Sequence, residues 1–417
     1  MNLENKKVLI LGLGKEGKSS LRFLKKHFKN IEIGIADKNL SRNYLKQIKS
    51  HDVIVKTPGI PLKTIKPYLR GKKLTSQTDI FLQKHKNKTI GITGTKGKGT
   101  TALLIHHILK KSKLKSEVLG NIGVPSLDYY DLDPDFFIYE MSSHQLQHLK
   151  ISPHIAVLLN AHEGHLDYYD DIKEYHKAKY NIAKHQDKED YFIYNSDFKE
   201  FKQLSKGKKL SFGKTGNCYL KKGYIYLNKK RFINIKNIHL EGEHFIYDIM
   251  AAILVCKLLK VSNSIIKKQI KTFKTQEYCL KKVGKYRGII FYNDSFATEP
   301  IATIAALNAL DNIQTLIVGG FERNIDFNPL IETIIHKNIK HIIYFRPAGL
   351  RIKKQTKEFK HDIKFHEAQD MKHAVKLCSQ LTDRGKTCLL SPACASFGLF
   401  KDYKDRGEQF NKYVKKT

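Results

Sequence analysis

A glycine-rich segment between residues 89 and 101 constrains the fold of this chain more than any other feature. Its first part, Thr89–Thr93, is a short run rich in β-branched residues, which is typical of a buried strand. Glycines and lysines follow, and apolar residues then recur at helical spacing from Ala102 to Leu109. A strand, a glycine-rich turn and a helix together predict a phosphate site, because backbone N–H groups, the helix N-terminus and a lysine all reach the anion.

The turn departs at two positions from the phosphate-loop pattern G-x-x-x-x-G-K-[ST]. Ile92 stands where the first glycine belongs, and Gly99 stands where the hydroxyl that binds magnesium belongs. An ordinary glycine-rich turn is the alternative, but the density of glycine, lysine and threonine from residue 94 to residue 101 favours phosphate. The predicted phosphate-binding residues are Gly94, Thr95, Lys96, Gly97, Lys98, Gly99, Thr100 and Thr101.

Composition limits the classes of partner. The chain has 417 residues, enough for about three domains, and a formal net charge of +35. Of its 75 basic residues, 65 are lysine and ten are arginine, and the lysines are spread along the whole chain. Specific nucleic-acid sites instead favour clustered arginine. No apolar run approaches the ~20 residues of a membrane helix, and the six cysteines include no C-x-x-C pair. We therefore expect a cytoplasmic protein with reduced thiols, no membrane contact and no specific nucleic-acid partner.

The N-terminal segment carries a second glycine motif. The strand Lys7–Leu11 precedes Gly12-Leu-Gly-Lys-Glu-Gly17, and Asp37 ends the next strand about 20 residues further on. This pattern matches a dinucleotide site, although the same turn also binds other nucleotides. Its presence therefore predicts a nucleotide-binding βαβ unit without identifying the nucleotide.

Several segments resemble one enzyme family. Gly94-Thr-Lys-Gly-Lys98 and the threonines after it resemble the ATP loop of the Mur ligases and folylpolyglutamate synthases, which use ATP to join an amino acid to a carboxylate. The C-terminal run from Cys388 to Phe410, with Leu-Leu-Ser-Pro-Ala-Cys-Ala-Ser-Phe and Arg-Gly-Glu-Gln-Phe, resembles the D-glutamate-adding Mur ligases. By this resemblance the chain is identified as a Mur ligase of that type.

The resemblance spans the whole chain and implies an α/β fold of three domains. Residues 1–84 would form a Rossmann-like domain that binds the UDP substrate. Residues 85–275 would form a central P-loop ATPase-like domain that binds ATP. Residues 276–417 would form a C-terminal Rossmann-like α/β domain that binds the amino acid.

The resemblance also assigns residues to the UDP-bearing substrate. The N-terminal glycine turn, the tip of the second strand and a Pro-Gly turn correspond to the family's uridine side. A Gly-Asn-Ile-Gly segment corresponds to the contact with the sugar diphosphate. The residues implied are Gly14, Lys15, Glu16, Asp37, Lys38, Gly59, Asn121 and Ser142.

The implied ATP and magnesium site surrounds the glycine-rich loop. Glu140 ends an apolar strand, where a carboxylate beside a phosphate loop is a natural magnesium ligand. His165 corresponds to the family's metal-side histidine, and Lys179 to the lysine that the family carbamylates, although Lys179 has a surface lysine as its alternative interpretation. The implied catalytic residues are Lys98, Glu140, His165 and Lys179. The implied magnesium ligands are Thr100, Glu140, His165 and Lys179. Asp248 and Asp294 would contact ATP.

The amino-acid site is implied by three later segments, Asn293-Asp-Ser-Phe-Ala-Thr298, Gly319-Gly-Phe-Glu-Arg323 and the C-terminal run. They assign Thr298, Arg323, Ser396, Phe397 and Tyr403 to the incoming amino acid. Arg323 supplies a guanidinium that can bind a carboxylate through two hydrogen bonds. The chain departs from the family at Phe245, Cys279, Phe296 and Gly398, where asparagine, arginine, lysine and aspartate are usual.

The implied activity is the addition of D-glutamate to UDP-N-acetylmuramoyl-L-alanine through an acyl phosphate, with ATP and Mg²⁺ as cofactors. This reaction belongs to peptidoglycan precursor synthesis, and a monomer is expected to carry it out. One alternative is a Mur-type ligase with another acceptor or amino acid, which Phe296 and Gly398 keep open. A second alternative is a nucleotide-sugar-binding homologue that has lost ATP turnover, which Gly99, Cys279 and Phe245 favour.

Overall fold

The computed structural model describes residues 3–122, 124–162, 168–238, 243–273, 277–323 and 325–417. The chain divides into two compact units. The first comprises Met1–His239 with Ile246–Phe273, and the second comprises Leu240–Phe245 with Lys274–Thr417. Both units combine largely parallel sheets with helices, so the predicted α/β class is confirmed.

The first sheet of the first unit is built from short apolar runs. Its strands are β1 (Lys7–Leu11), β2 (Glu32–Ala36), β3 (Val53–Lys56) and β4 (Lys73–Thr75). They pair in parallel in the order β2-β1-β3-β4 and are accompanied by helices α1 (Lys15–His27), α2 (Leu62–Ile65) and α3 (Gln77–His85). Residues 8–11 of β1 are fully buried, as expected for an inner parallel strand that is covered on both faces.

The second sheet of this unit holds the glycine-rich segment in its interior. Its strands are β5 (Thr89–Thr93), β6 (Ser116–Gly120), β7 (Phe136–Glu140), β8 (Ile155–Leu158), β9 (Tyr191–Asn195), β10 (Lys208–Gly213), β11 (Cys218–Lys221), β12 (Tyr224–Leu227) and β13 (Lys230–Asn234). Their order is β13-β12-β11-β10-β9-β8-β5-β7-β6, parallel except within the β11-β12-β13 meander. The helices are α4 (Lys98–Lys111), α5 (Ser143–Leu146), α6 (Ile172–Lys184), α7 (Glu243–Leu258), which belongs to this unit from Ile246 onward, and α8 (Asn263–Thr272). The strand and helix predicted around the loop are therefore present as β5 and α4.

The two sheets of the first unit share one hydrophobic core. Ile10 of β1 belongs to the same buried cluster as Phe137 of β7 and Leu158 of β8. The Thr78 hydroxyl of α3 lies 2.8 Å from the Tyr139 hydroxyl of β7, which adds a buried polar link. The predicted boundary after residue 84 thus falls inside one compact unit, and the division into three domains stays a prediction.

The second unit is organised around a further sheet with an antiparallel edge. Its strands are β14 (Lys281–Tyr286), β15 (Ile289–Asn293), β16 (Ile313–Gly319), β17 (His341–Phe345), β18 (Lys364–Glu367) and β19 (Thr387–Leu390), in the order β14-β15-β19-β16-β17-β18. Its helices are α9 (Pro300–Ala309), α10 (Asn328–His336), α11 (Ala348–Thr356), α12 (Met371–Leu381) and α13 (Tyr403–Val414).

In the part of the chain that the structure describes, no helix combines the length and the apolar composition needed to cross a membrane.

The predicted motifs follow the carboxyl ends of parallel strands. In the first unit the Gly12–Gly17 turn follows β1, the phosphate loop follows β5 and Glu140 ends β7. In the second unit Asp294 follows β15 and Arg323 lies in the loop after β16. Because ligands of open α/β sheets bind beyond the carboxyl ends of the strands, the fold places these residues at the edges where binding is expected.

Candidate active site

A cavity of about 220 Å³ lies in the first unit, beyond the carboxyl ends of its parallel strands. It is lined by Glu16, Pro58, Gly59, Thr95, Lys98, Asn121, Ser142, Ser143, His144, Tyr168, Tyr175 and Lys179. The sequence predicts a role for seven of these residues: Glu16, Gly59, Thr95, Lys98, Asn121, Ser142 and Lys179. The fold therefore gathers in one cavity residues that the motifs assigned separately to phosphate binding and to the UDP substrate.

Asn160, two residues beyond β8, holds the phosphate loop in shape. Its backbone carbonyl accepts a hydrogen bond from the Thr95 N–H at 3.1 Å. Its side-chain amide bonds the N–H and the carbonyl of Lys96, at 2.9 and 3.1 Å. A loop fixed in this way loses little conformational freedom when it binds an anion. Asn160 has no role assigned from the sequence.

Two lysine side chains converge on one carbonyl of this loop. Lys98 Nζ donates to the Gly94 carbonyl oxygen at 2.9 Å, and Lys179 Nζ donates to the same oxygen at 3.0 Å. Because two ammonium groups at this spacing repel each other, a phosphate oxygen between them would relieve the repulsion. Lys179 is only 2% exposed and lies 4.5 Å from the centre of the Tyr175 ring, so its interpretation as a surface lysine is wrong.

A buried acid lies directly against the loop. Gly97 adopts φ +86°, and a Cβ atom built on it would collide with Oδ1 of Asp248 on α7. Asp248 is 3% exposed, and burial raises the pKa of its carboxyl well above the usual range. This position supports the expected contact between Asp248 and ATP, which stays a prediction.

Gly97→Ala is expected to weaken nucleotide binding by at least about tenfold, because the added methyl group meets Asp248 and alanine is strained at positive φ. Gly71→Ala is the matched control, since Gly71 has φ +71° but open space around it. Calorimetric titration of both variants with ADP measures the difference, and thermal melts show that both are folded. Equal ADP affinities in the two variants would contradict a role for the close approach of Asp248.

Glu140 is a buried carboxylate beside the loop. It is 2% exposed, and burial raises the pKa of its carboxyl, an effect that Lys98 and Asn121 oppose. Its Oε2 atom is buried and forms no hydrogen bond with the residues that the structure describes. An unsatisfied carboxylate oxygen next to a phosphate loop fits Mg²⁺, which prefers oxygen ligands.

The described residues supply part of the predicted magnesium site. Thr100 is largely buried in the first turn of α4. His165 lies outside the described residues, so its role stays a prediction. Nowhere in the described ranges do three or more His, Cys, Asp or Glu side chains cluster as a ready-made metal site. Glu140 and Thr100 nevertheless fit Mg²⁺, because this ion commonly binds through one or two protein ligands together with substrate phosphates and water.

Glu16 connects the N-terminal glycine turn to the cavity. Its Oε1 accepts a hydrogen bond from Nε2 of Gln145 at 2.7 Å, and Oε1 of Gln145 accepts from the Ser142 N–H at 2.8 Å. Burial raises the pKa of the Glu16 carboxyl. Lys56, which has no role assigned from the sequence, is 1% exposed, and its Nζ donates to the Tyr168 hydroxyl at 3.2 Å. Burial lowers the pKa of Lys56 to about 8.

The other residues near the first sheet that were predicted to bind the UDP substrate do not line the cavity. The Asp37 carboxylate accepts from the Asn39 N–H at 2.8 Å and from the Leu13 N–H at 2.7 Å, and these bonds lower its pKa. Asp37 therefore shapes the glycine turn itself. The exposed predicted residues here are Gly14, Lys15 and Lys38. Their contacts with uridine or diphosphate stay predictions.

The cavity also contains residues that sequence reasoning missed, namely Pro58, Ser143, His144, Tyr168 and Tyr175. Ser143 and His144 directly follow Ser142, and Tyr175 lies one helical turn before Lys179, so their closeness to assigned residues was the available signal. The centre of the His144 ring lies 4.0 Å from the centre of the Tyr168 ring. No sequence signal marked Tyr168, because its place depends on this packing across the chain.

In the second unit, predicted residues lie near the carboxyl ends of β15, β16 and β19. The Asp294 carboxylate is almost fully buried and accepts from the Leu280 N–H at 2.9 Å and from Oγ of Ser391 at 2.7 Å. It therefore ties β15 to β19, and its expected contact with ATP stays a prediction. Ser396 is buried, whereas Phe397 is exposed. Thr298, Arg323 and Tyr403 are half-buried.

Arg406 on α13, which has no role assigned from the sequence, fixes two of these loops. Its guanidinium is fully buried and donates to Oγ and the carbonyl of Ser295 at 3.0 and 2.8 Å. It also donates to the Cys394 carbonyl at 3.0 Å. Burial lowers the pKa of Arg406 to about 10. The segments after β15 and β19 are thus held together from within the unit.

The departures from the family occupy different environments. The partly exposed ring of Phe296 packs 5.0 Å from the Tyr403 ring. Gly398 has φ +91°, a conformation in which glycine is unstrained, so the local backbone favours it over the family's aspartate. Phe245 is buried and Cys279 is half-buried. At the Phe245 and Cys279 positions the hydrogen-bonding side chains usual in the family are therefore replaced by side chains that cannot make the same contacts.

Mur ligases are similar to this chain throughout its length. The Mur ligase middle domain family matches residues 92–256. A UDP-N-acetylmuramoylalanine--D-glutamate ligase of Oenococcus oeni is 34% identical over 433 residues, covering 100% of this chain and 98% of its own. The ligase of the same name from Staphylococcus aureus strain MW2 is 32% identical, covering 98% of this chain and 96% of its own. The fold is shared with the MurF ligase of Thermotoga maritima in complex with ADP, with a TM-score of 0.64. The two sequences are 18% identical, and the match covers 100% of this chain and 96% of that one. The chain belongs to the UDP-N-acetylmuramoylalanine--D-glutamate ligase family of Mur ligases.

Proposed function

We propose that this chain uses ATP to add D-glutamate to UDP-N-acetylmuramoyl-L-alanine, the reaction for which its full-length relatives are named. One observation carries the proposal: Lys98 and Lys179 of the phosphate site line the same cavity as Asn121 of the acceptor side. A carboxylate held in that cavity would lie next to the groups that bind phosphate, as phosphoryl transfer to a carboxylate requires. The cytoplasmic location and monomeric state implied by the resemblance belong to the same proposal.

In the first half-reaction the acceptor carboxylate attacks the γ-phosphorus of ATP, and ADP leaves an acyl phosphate behind. Lys98 and the loop N–H groups would hold the phosphates and offset the charge that spreads over their oxygens. Glu140 and Thr100 would hold Mg²⁺, which when bound neutralises further phosphate charge. The walls formed by Tyr168 and Tyr175 would keep water from the acyl phosphate.

In the second half-reaction the amine of D-glutamate attacks the acyl carbon, phosphate leaves, and the nitrogen loses a proton as the amide forms. Arg323 would pair with a carboxylate of D-glutamate, because a guanidinium binds that group through two hydrogen bonds. Ser396 and Thr298 would supply hydroxyls to the same amino acid. In this proposal the second unit recognises the amino acid.

Phosphate release from ATP tests the proposal directly. Purified protein is assayed with UDP-N-acetylmuramoyl-L-alanine, D-glutamate and Mg-ATP, and each component is omitted in turn. Release that requires all three supports the proposed reaction. Release with another amino acid but none with D-glutamate would favour the ligase of different specificity, and substrate binding without any release would favour the non-catalytic homologue.

Thr100→Val is expected to remove most of the gain in nucleotide affinity that Mg²⁺ provides, about tenfold, because Gly99 supplies no hydroxyl and Thr100 is next in the first helical turn. Calorimetric titration with a non-hydrolysable ATP analogue, with and without Mg²⁺, measures this gain. Lys111→Ala, at the exposed end of the same helix, is the control. An unchanged magnesium effect in Thr100→Val would show that the hydroxyl comes from elsewhere.

A further inference from the structure

The loop after β16 that carries Arg323 is anchored from two sides. The Phe321 N–H donates to the Ala395 carbonyl at 2.9 Å, which joins the loop to the segment after β19. The Ala348 N–H, at the start of α11, donates to the Gly320 carbonyl at 3.1 Å. The backbone that leads into Arg323 is therefore held in one conformation next to the C-terminal run that carries Ser396.

A bidentate ion pair holds the residue that precedes Arg323. Nε and Nη2 of Arg351 on α11 donate to the two carboxylate oxygens of Glu322 at 3.0 and 2.9 Å. Nη2 also donates to the Ile325 carbonyl at 2.6 Å, and the guanidinium lies 4.4 Å from the centre of the Phe327 ring. The Arg351 and Glu322 side chains are 27% and 32% exposed, so this pair is better shielded and better oriented than a typical surface ion pair.

Glu322 and Arg323 are chain neighbours with opposite charges. A Glu322 carboxylate without Arg351 would compete with a substrate carboxylate for the Arg323 guanidinium, because the two carboxylates are the same chemical group. Arg351 engages both oxygens of Glu322 instead. Arg323 itself forms no hydrogen bond or ion pair with any residue that the structure describes. The Arg351 guanidinium is thus used within the fold, whereas the Arg323 guanidinium has no carboxylate partner among the residues that the structure describes.

We propose that Arg351 is a positioning residue that captures Glu322 and thereby keeps Arg323 available to a carboxylate of the incoming amino acid. This inference rests on the proposed function, in which the second unit binds D-glutamate. Arg351 acts through Glu322 and Arg323 without touching the substrate, because its guanidinium is committed to Glu322 and the Ile325 carbonyl. Loss of Arg351 would leave the catalytic groups of the first unit intact.

The KM for D-glutamate in the phosphate-release assay tests this role. Arg351→Met is expected to raise that KM about tenfold, while the KM values for ATP and the UDP substrate stay within about twofold of wild type. The double variant Glu322→Gln/Arg351→Met removes the competing charge and is expected to return the KM to within about threefold of Glu322→Gln alone. Recovery through a second substitution is what a purely structural role would not produce.

The chain offers a matched control in a second arginine–glutamate pair of the same unit. Nε and Nη2 of Arg346 donate to the Glu367 carboxylate at 2.6 and 2.9 Å, joining the end of β17 to β18. Arg346→Met is expected to leave the KM for D-glutamate within about twofold of wild type, and thermal melts show that each variant is folded.

Two results would overturn the proposal: a double variant no better than Arg351→Met, or three KM values that rise together. The wild type must release phosphate with D-glutamate in the same assay. A failure of the proposed function therefore appears in the wild type, whereas a failure of the Arg351 role appears only between variants.

Discussion

Lys98→Ala is expected to abolish phosphate release, a loss of about a thousandfold, while the affinity for UDP-N-acetylmuramoyl-L-alanine stays within about twofold of wild type. Lys98 begins α4, and its Nζ donates to the carbonyls of Gly94 and Thr95 at 2.9 and 3.1 Å, inside the loop that phosphates would occupy. No other role is assigned to Lys98. The expected uridine contacts lie in the first sheet, so their affinity should not depend on this ammonium group.

Two measurements separate these effects. Calorimetric titration with the UDP substrate in the absence of nucleotide gives its affinity, and the coupled assay gives phosphate release. Lys111→Ala removes an exposed lysine from the last turn of the same helix and is expected to change neither quantity. A loss of UDP-substrate affinity as large as the loss of turnover would show that Lys98 also supports the acceptor, contrary to the proposed division of roles.

Short motifs predicted much of the cavity because each one has its own local geometry. A β-branched run, glycines and a helical apolar pattern specify a strand, a turn and a helix within a few residues, and β5 and α4 have the expected positions. The strands that flank β5 could not be predicted in this way. Glu140 and Asn160 reach the loop because β5 lies between β7 and β8, and no local pattern encodes this order. The strand that ends at Glu140 and the family resemblance together pointed to this residue, whereas nothing assigned Asn160.

Burial explains the remaining differences between sequence and structure. Lys179 is one of 65 lysines, and its near-complete burial arises because α6 packs on β5 and β8. Asp294 lies in a well-matched motif, yet its carboxylate bonds Leu280 and Ser391, which are distant in sequence. Side-chain partners of this kind depend on tertiary packing, so a motif can locate a residue without determining which group its side chain contacts.

Carbamylation of Lys179 would resolve an electrostatic conflict in the cavity. As an ammonium group, Lys179 shares the Gly94 carbonyl with Lys98, and it would also repel a magnesium ion held by Glu140. The neutral amine can add to CO₂ with release of one proton, which converts the cation into an anionic oxygen group of the kind that magnesium prefers. Carbamylation would therefore leave a single cation, Lys98, at the Gly94 carbonyl.

Lys179→Ala is therefore expected to lower phosphate release by at least about a hundredfold and to recover part of it with acetate, whose oxygen anion would fill the gap. Lys177→Ala, an exposed lysine on the same helix, is the control and should behave as wild type. A ¹³C NMR signal from bound ¹³CO₂ in the wild type, missing from Lys179→Ala, gives a readout that does not depend on activity. Two outcomes would contradict carbamylation. In the first, the alanine variant stays fully active. In the second, the variant is inactive, acetate restores no activity and the wild type shows no carbamate signal, so that Lys179 acts only as a buried hydrogen-bond donor to the phosphate loop.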